Sequence, residues 1–143
     1  MARKNLVWNG AAVTKKLKAA QIAGVNQTIA ACVVAAKRNH KWVNRTGVLE
    51  GGVGVLAFAA AIADGVRGTW GVNDVRYALI HELGGVIRPV NAKALAIPQG
   101  DGSVRLVKSV TIPARPYLRP AADAIYPTLA ARIKRNYERG KAA

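Results

Sequence analysis

The stretch Val53-Gly54-Val55-Leu56-Ala57-Phe58-Ala59-Ala60-Ala61-Ile62-Ala63-Asp64-Gly65-Val66-Arg67-Gly68-Thr69-Trp70-Gly71-Val72 decides the fold class. Val53, Val55, Ala57 and Ala59 alternate with Gly54, Leu56 and Phe58, so the run predicts a strand with both faces buried or paired. Asp64-Gly65 is a turn signal, and residues 66–72, with Trp70 among them, predict the return strand of a hairpin. Thr46-Gly47-Val48-Leu49 is expected to start this sheet.

On the N-terminal side, residues 11–40 predict a helix. Val13, Leu17, Ala20, Gly24, Ile29, Cys32, Val33 and Ala36 recur at three- and four-residue steps and share a face. The run Lys37-Arg38-Asn39-His40-Lys41 suits its C-terminus, where cations offset the helix dipole. Gly24 weakens the helix by about 1 kcal/mol relative to Ala, unless it admits another backbone close by. On the C-terminal side, Asn73-Asp74 is expected to cap a short helix over 75–83, stopped by Gly84-Gly85. A strand at 95–98, a turn at Gln99-Gly100-Asp101-Gly102 and one continuous strand over 104–112 follow. Pro113, Pro116 and Pro120 punctuate the exit into a helix over 121–138, kinked or delayed by Pro127. The expectation is α+β: an N-terminal helix, an antiparallel sheet with a short intervening helix, and a C-terminal helix packed on the sheet. One domain spans 1–143, with an extended arm at 1–10 and a flexible tail at 140–143.

A chain of 143 residues, 51% apolar, can bury about two-thirds of its unfolded surface. Its 22 basic and seven acidic residues give +15, which calls for a polyanion, a membrane surface or an acidic protein partner. The excess sits at the ends: +9 over residues 1–47 (nine basic, no acid), +1 over 48–114 (six and five), +5 over 115–143 (seven and two). The longest apolar stretch, at 53–63, is well short of the ~20 residues of a membrane helix. No apolar segment follows the basic N-terminus, so a signal peptide is not expected.

One cysteine, Cys32, excludes an intrachain disulfide and any Cys-based zinc cluster, and its position on the helix face predicts a core residue. His81-Glu82 opens like a zinc-protease helix, but Gly85 stands where the second histidine is needed. Gly51-Gly52-Val53-Gly54 lacks the Lys-Ser/Thr of a phosphate loop. No nucleophile–base constellation stands out, so neither an enzyme, a cofactor nor a metal is expected. Trp8, Trp42 and Trp70 are not interleaved with basic residues as a base-stacking platform requires; core or interface anchoring is the expectation.

Two segments go beyond composition: Tyr77-Ala78-Leu79-Ile80-His81-Glu82-Leu83-Gly84-Gly85 and Ile112-Pro113-Ala114-Arg115-Pro116-Tyr117-Leu118-Arg119-Pro120-Ala121. In that order, behind an N-terminal helix and Thr46-Gly47-x-Leu49, they resemble the tail-component family of tailed phages, also described as minor tail, virion morphogenesis or tail-completion proteins. Members show aromatic-Ala-x-x-His/Glu-x-Gly, a variable loop, then Ala-Arg-Pro-aromatic-Leu running into the last helix. The resemblance covers roughly residues 45–135, with Gly84-Gly85 where many relatives have Gly-Thr. It implies a structural, non-enzymatic virion protein made in the host cytoplasm. Such proteins form a ring, usually sixfold, at the head–tail junction, completing the tail and joining it to the head. The implied partners are sibling subunits, other neck and tail proteins, and DNA passing through the channel, with no membrane. The loop at 86–93 and the tip at 99–102 would be contacts between subunits or rings.

The residues also have a physical reading of their own. Tyr77, Ile80 and Leu83 lie at helical spacing and are expected to pin the short helix to the sheet. Gly84 and Gly85 end that helix and allow positive φ. Pro113 and Pro116 stiffen the corner around Arg115, which is expected to form an ordered salt bridge with Glu82 as candidate partner; Tyr117 and Leu118 lead on into the last helix. The alternative function is a basic nucleic-acid-binding module whose polyanion contacts would be Lys15, Lys16, Lys18, Arg132, Lys134, Arg135 and Arg139.

Overall fold

A computed structural model describes residues 4–43, 46–75 and 77–140. The element order is α1 (Gly10–Arg38), α2 (Val48–Gly52), β1 (Val53–Ile62), β2 (Gly65–Val72), α3 (Ala78–Leu83), β3 (Gly85–Ile87), β4 (Leu95–Pro98), β5 (Val104–Val107), β6 (Val110–Ile112), α4 (Leu118–Ile125), a 3-10 turn (Tyr126–Thr128) and α5 (Leu129–Arg139). The fold is mixed helix and antiparallel strand, as the periodicities predict. Residues 4–9 form no regular element, with Leu6, Val7 and Trp8 exposed; of the tail expected at 140–143, residues 141–143 lie outside the described residues.

α1 is the element on which the others lie. Asn9 caps it, its Oδ1 accepting from the Ala12 N–H at 3.2 Å, and Lys37 and Arg38 occupy the last turn. Ala20, Gly24, Ile29, Cys32 and Ala36 are buried on the expected face, but Val13 and Leu17 remain exposed. By length and composition α1 is apolar enough to cross a membrane, a property the sequence reading placed nowhere in the chain. A helix apolar on several sides serves equally as a core element. Here the β1–β2 hairpin packs on α1 from one direction and α4 and α5 from another.

Several expectations are corrected. The strands make three separate two-stranded ribbons, β1–β2, β3–β6 and β4–β5, not one sheet. The C-terminal helices therefore pack mainly on α1, reaching the hairpin through a bond from Trp70 Nε1 to the Tyr126 hydroxyl at 3.0 Å. Thr46-Gly47-Val48-Leu49, expected to start the sheet, instead leads into α2, whose Gly51 N–H donates to the Gly47 carbonyl at 2.8 Å. The strand over 104–112 is broken at Lys108-Ser109, because its halves pair with different partners. β3 overlaps the start of the segment expected as a loop at 86–93. Asn73-Asp74 does not cap α3. Asn73 instead closes the base of the hairpin, its N–H donating to the Gly52 carbonyl, and α3 starts at Ala78. The last helix starts earlier than expected, at Leu118, and breaks at Pro127 within the 3-10 turn, since proline cannot donate to the preceding turn. β1 is exposed along most of its length, not buried on both faces.

The core is small: Ala36, Leu49, Val53, Tyr117 and Ala121, flanked by Trp42, Trp70, Val72 and Leu118. Cys32 is fully buried; burial pushes its thiol pKa up, and the Arg132 charge partly offsets this. α1 and α5 cross where a Cβ on Gly24 would stand 2.6 Å from Ile133 Cγ1 and 3.1 Å from the Ile133 backbone nitrogen. The glycine thus permits the close approach anticipated from the sequence. Gly24→Ala should lower stability by roughly 1–3 kcal/mol through overpacking, despite the better helix propensity of alanine. Ile133→Ala, which removes the nearest side-chain atom, should make the Gly24→Ala change less costly in a double-mutant cycle of denaturant unfolding.

Candidate functional site

The two motif segments, some thirty residues apart, are zipped together at one end of the molecule. The Glu82 carboxylate accepts from three consecutive backbone N–H groups: Tyr117 at 2.7 Å and Leu118 at 3.0 Å through Oε2, and Arg119 at 2.9 Å through Oε1. These are donors at the N-terminus of α4, which have no partner inside the helix and carry its positive dipole end. The next residue is Pro120, which has no N–H. One carboxylate and one proline thereby account for the helix's first four donor positions.

Further bonds close the seam. The Arg115 N–H donates to the His81 carbonyl at 2.8 Å, and β3 pairs with β6 through Gly85–Ile112, Val86–Thr111 and Ile87–Val110. Gly84 has φ +70°, and a Cβ there would lie 2.7 Å from the Ala114 nitrogen, so both conformation and space demand glycine. Pro113 and Pro116 are exposed and flank this corner.

Tyr117 is the hub, 2% exposed. Its ring meets Trp42 edge-on at 4.7 Å between centroids, and Trp42 in turn stacks on His40 at 4.0 Å. The Tyr117 hydroxyl makes a long bond to the Ala78 carbonyl at 3.5 Å. Burial first, then the nearby Glu82 charge, push the phenol pKa up to about 12. His40 Nε2 lies 3.7 Å from Glu50 Oε2, and His40 Nδ1 is 3.1 Å from the Trp42 carbonyl. None of these links to residues 40–50 is visible as a motif; only the clustering of Trp42 with histidine and lysine hints at them.

Beside the hub lies an open cleft of about 410 Å³ lined by Trp42, Val43, Thr46, Leu49, Tyr77, His81 and Arg115. His81 Nδ1 is buried there without a hydrogen-bond partner among the described residues. The expected Arg115–Glu82 salt bridge is absent among the described residues: Glu82 is taken by the α4 cap, and the exposed Arg115 side chain lines the cleft. α3 is not pinned as expected either. Leu83 is 67% exposed and Tyr77 41%, and only Ile80 turns in, under Gly85. Among the described residues no group of three or more His, Cys, Asp or Glu converges.

The basic residues divide. Lys18 Nζ donates to the Gly65 carbonyl at 3.1 Å, Lys16 sits over the Tyr137 ring at 4.9 Å, and Arg132 Nε donates to Thr128 Oγ1 at 3.0 Å. These three hold elements together. Lys15, Lys134, Arg135 and Arg139 are exposed. Comparison with family models, with curated proteins and with solved structures returns no match.

Glu82→Ala should cost about 2–3 kcal/mol, since it removes an N-cap whose bonds are charge-assisted, whereas Glu82→Gln should retain part of that stability. Chemical denaturation of the two variants checks the order. Tyr117 predicts an alkaline effect of definite sign. Its folded pKa is raised, so its contribution is complete below the ordinary phenol value near 10 and is lost as pH rises through about 12. Wild-type stability should fall across that window, and Tyr117→Phe should flatten the fall; an unchanged slope in the variant would count against the buried phenol.

Proposed function

We propose that this protein is a structural subunit of the phage neck, forming a closed ring that completes the tail and joins it to the head. The reading rests on the paired motif segments and on one structural observation. The chain exposes 10,824 Å², whereas a compact monomer of 15.1 kDa exposes about 7,100 Å². That surplus, to which the exposed arm at 4–9 contributes, is of the size that obligate assembly surfaces bury. It is also apolar: Phe58 is 76% exposed, Leu79 68%, Leu83 67% and Leu106 70%. Large apolar side chains on several projecting elements favour a subunit that finishes its packing against neighbours.

Light scattering of the purified protein should give a discrete assembly, about 90 kDa for six copies of 15.1 kDa, with ring views in negative stain. A strict monomer that also fails to bind tail tubes overturns the proposal.

The exposed Lys15, Lys134, Arg135 and Arg139 favour a second reading, a nucleic-acid contact, which a basic ring lumen would make compatible with the first. Duplex binding should then weaken linearly in log–log salt titration, with a slope set by the phosphates neutralised. Lys134→Ala with Arg135→Ala should make that slope shallower. Failure to bind at low salt removes this reading.

A further inference from the structure

β1 is an edge strand of an unusual kind. It runs ten residues, Val53–Ile62, without a charge or a proline, and pairs on one side only, with β2. Exposed edges normally carry such residues, because a row of unpaired N–H and C=O groups recruits other strands. The blunting devices present here are the register shifts at Val55/Ala57 and Ala57/Ala60. The second shift sets Phe58 and Ala59 opposite Gly68 alone, turns the Ala59 N–H to Asn26 Oδ1 of α1 at 2.8 Å, and throws Phe58 outward.

A second unpaired edge exists on the same chain. The β4–β5 ribbon, joined by the Gln99–Gly102 turn, packs closely against no other element among the described residues. Its β5 carries Val104 at 59% exposure and Leu106 at 70%.

Building on the ring reading, we propose that the β4–β5 ribbon of each copy adds β5 to the free β1 edge of the next copy, making a sheet that continues across the subunit boundary. Charge selects this pairing. Residues 46–66 are the longest run in the chain without Lys or Arg and carry Glu50 and Asp64. Residues 93–108 carry Lys93, Arg105 and Lys108 against Asp101 alone. In a chain of net charge +15, β1 itself is uncharged and Arg67, across from Ala60 on β2, is the one basic residue of its hairpin, so a basic ribbon of a sibling meets less repulsion there than at the basic ends of the chain. Symmetry selects it too. Donor ribbon and acceptor edge are different surfaces, so the contact is heterologous and propagates until it closes, whereas β1 paired with β1 would stop at a dimer. Main-chain bonds supply the affinity, and Leu56, Phe58 and Ile62, all exposed in the single chain, acquire neighbours.

Cysteine cross-linking tests this in the full-length chain with Cys32→Ala as background. One tagged copy carries Val55→Cys, Ala57→Cys or Ala60→Cys; a co-expressed copy carries Val104→Cys, Arg105→Cys or Leu106→Cys. Mild oxidation should give a tag-mixed dimer for at least one combination. Chains carrying both cysteines of that combination should give a ladder ending at the ring's subunit number. Phe58→Lys, at a site exposed in the single chain, should raise the concentration for half-assembly at least tenfold while leaving the circular dichroism unchanged. A ring by mass that yields no mixed cross-link in any combination overturns the strand pairing and leaves the ring standing. Cross-linking of the β1 variants with themselves overturns it in favour of a two-fold contact. A monomer at every concentration overturns both.

Discussion

The Glu82 carboxylate at the start of α4 is the constraint from which the rest of the arrangement follows. A helix N-terminus presents donors that must be satisfied, and α4 begins with no capping side chain of its own. Its cap comes from α3, thirty-five residues earlier. That contact, together with the Arg115 N–H bond to the His81 carbonyl, sets the distance between α3 and α4. With it in place, Tyr117 is held under Trp42, the corner at Pro113–Pro116 is closed, and β6 is brought beside β3. The polypeptide between the motifs is left as a projecting ribbon. A short helix with no fully buried residue thus gains its position from a charge-assisted bond to backbone as well as from the packing of Ala78 and Ile80.

This economy of core accounts for the division of the molecule. One part is ordered by α1, the hairpin and the C-terminal helices around Tyr117 and Leu49. The other part, the outer side of β1 with α3 and the β4–β5 ribbon, is apolar and open. Alanine-rich helices pack backbones closely, as at Gly24 against Ile133, but bury little area for each residue. A chain built this way has less internal stabilisation available than its length permits; in the proposed ring, association would supply the remainder. The proposed strand addition between copies is one expression of that balance.

Local features were legible without coordinates because their causes are local. The α1 periodicity, the Asp64-Gly65 turn, the helix stop at Gly84 and the break at Pro127 follow from side-chain spacing and from allowed backbone angles. Cys32 in the core and Gly24 at a close crossing follow from the same helical face. The boundary errors share one cause. Thr46-Gly47-Val48-Leu49 and residues 104–112 carry β-branched residues that favour strand, but composition does not reveal pairing partners. A strand that must serve β4 and β3 at once has to break between them.

The sequence by itself determined the long N-terminal helix, the β1–β2 hairpin and the C-terminal helix, the basic ends, the uncharged run through β1 and the presence of two motif segments. Only the tertiary structure decided what those segments do. Arg115 and Glu82 carry opposite charges and stood ready as a salt bridge. In space the carboxylate instead meets three backbone donors at once, and the guanidinium turns to a cleft. A carboxylate's partner is set by which donors converge within about 3 Å of it, and that convergence is a property of the folded chain.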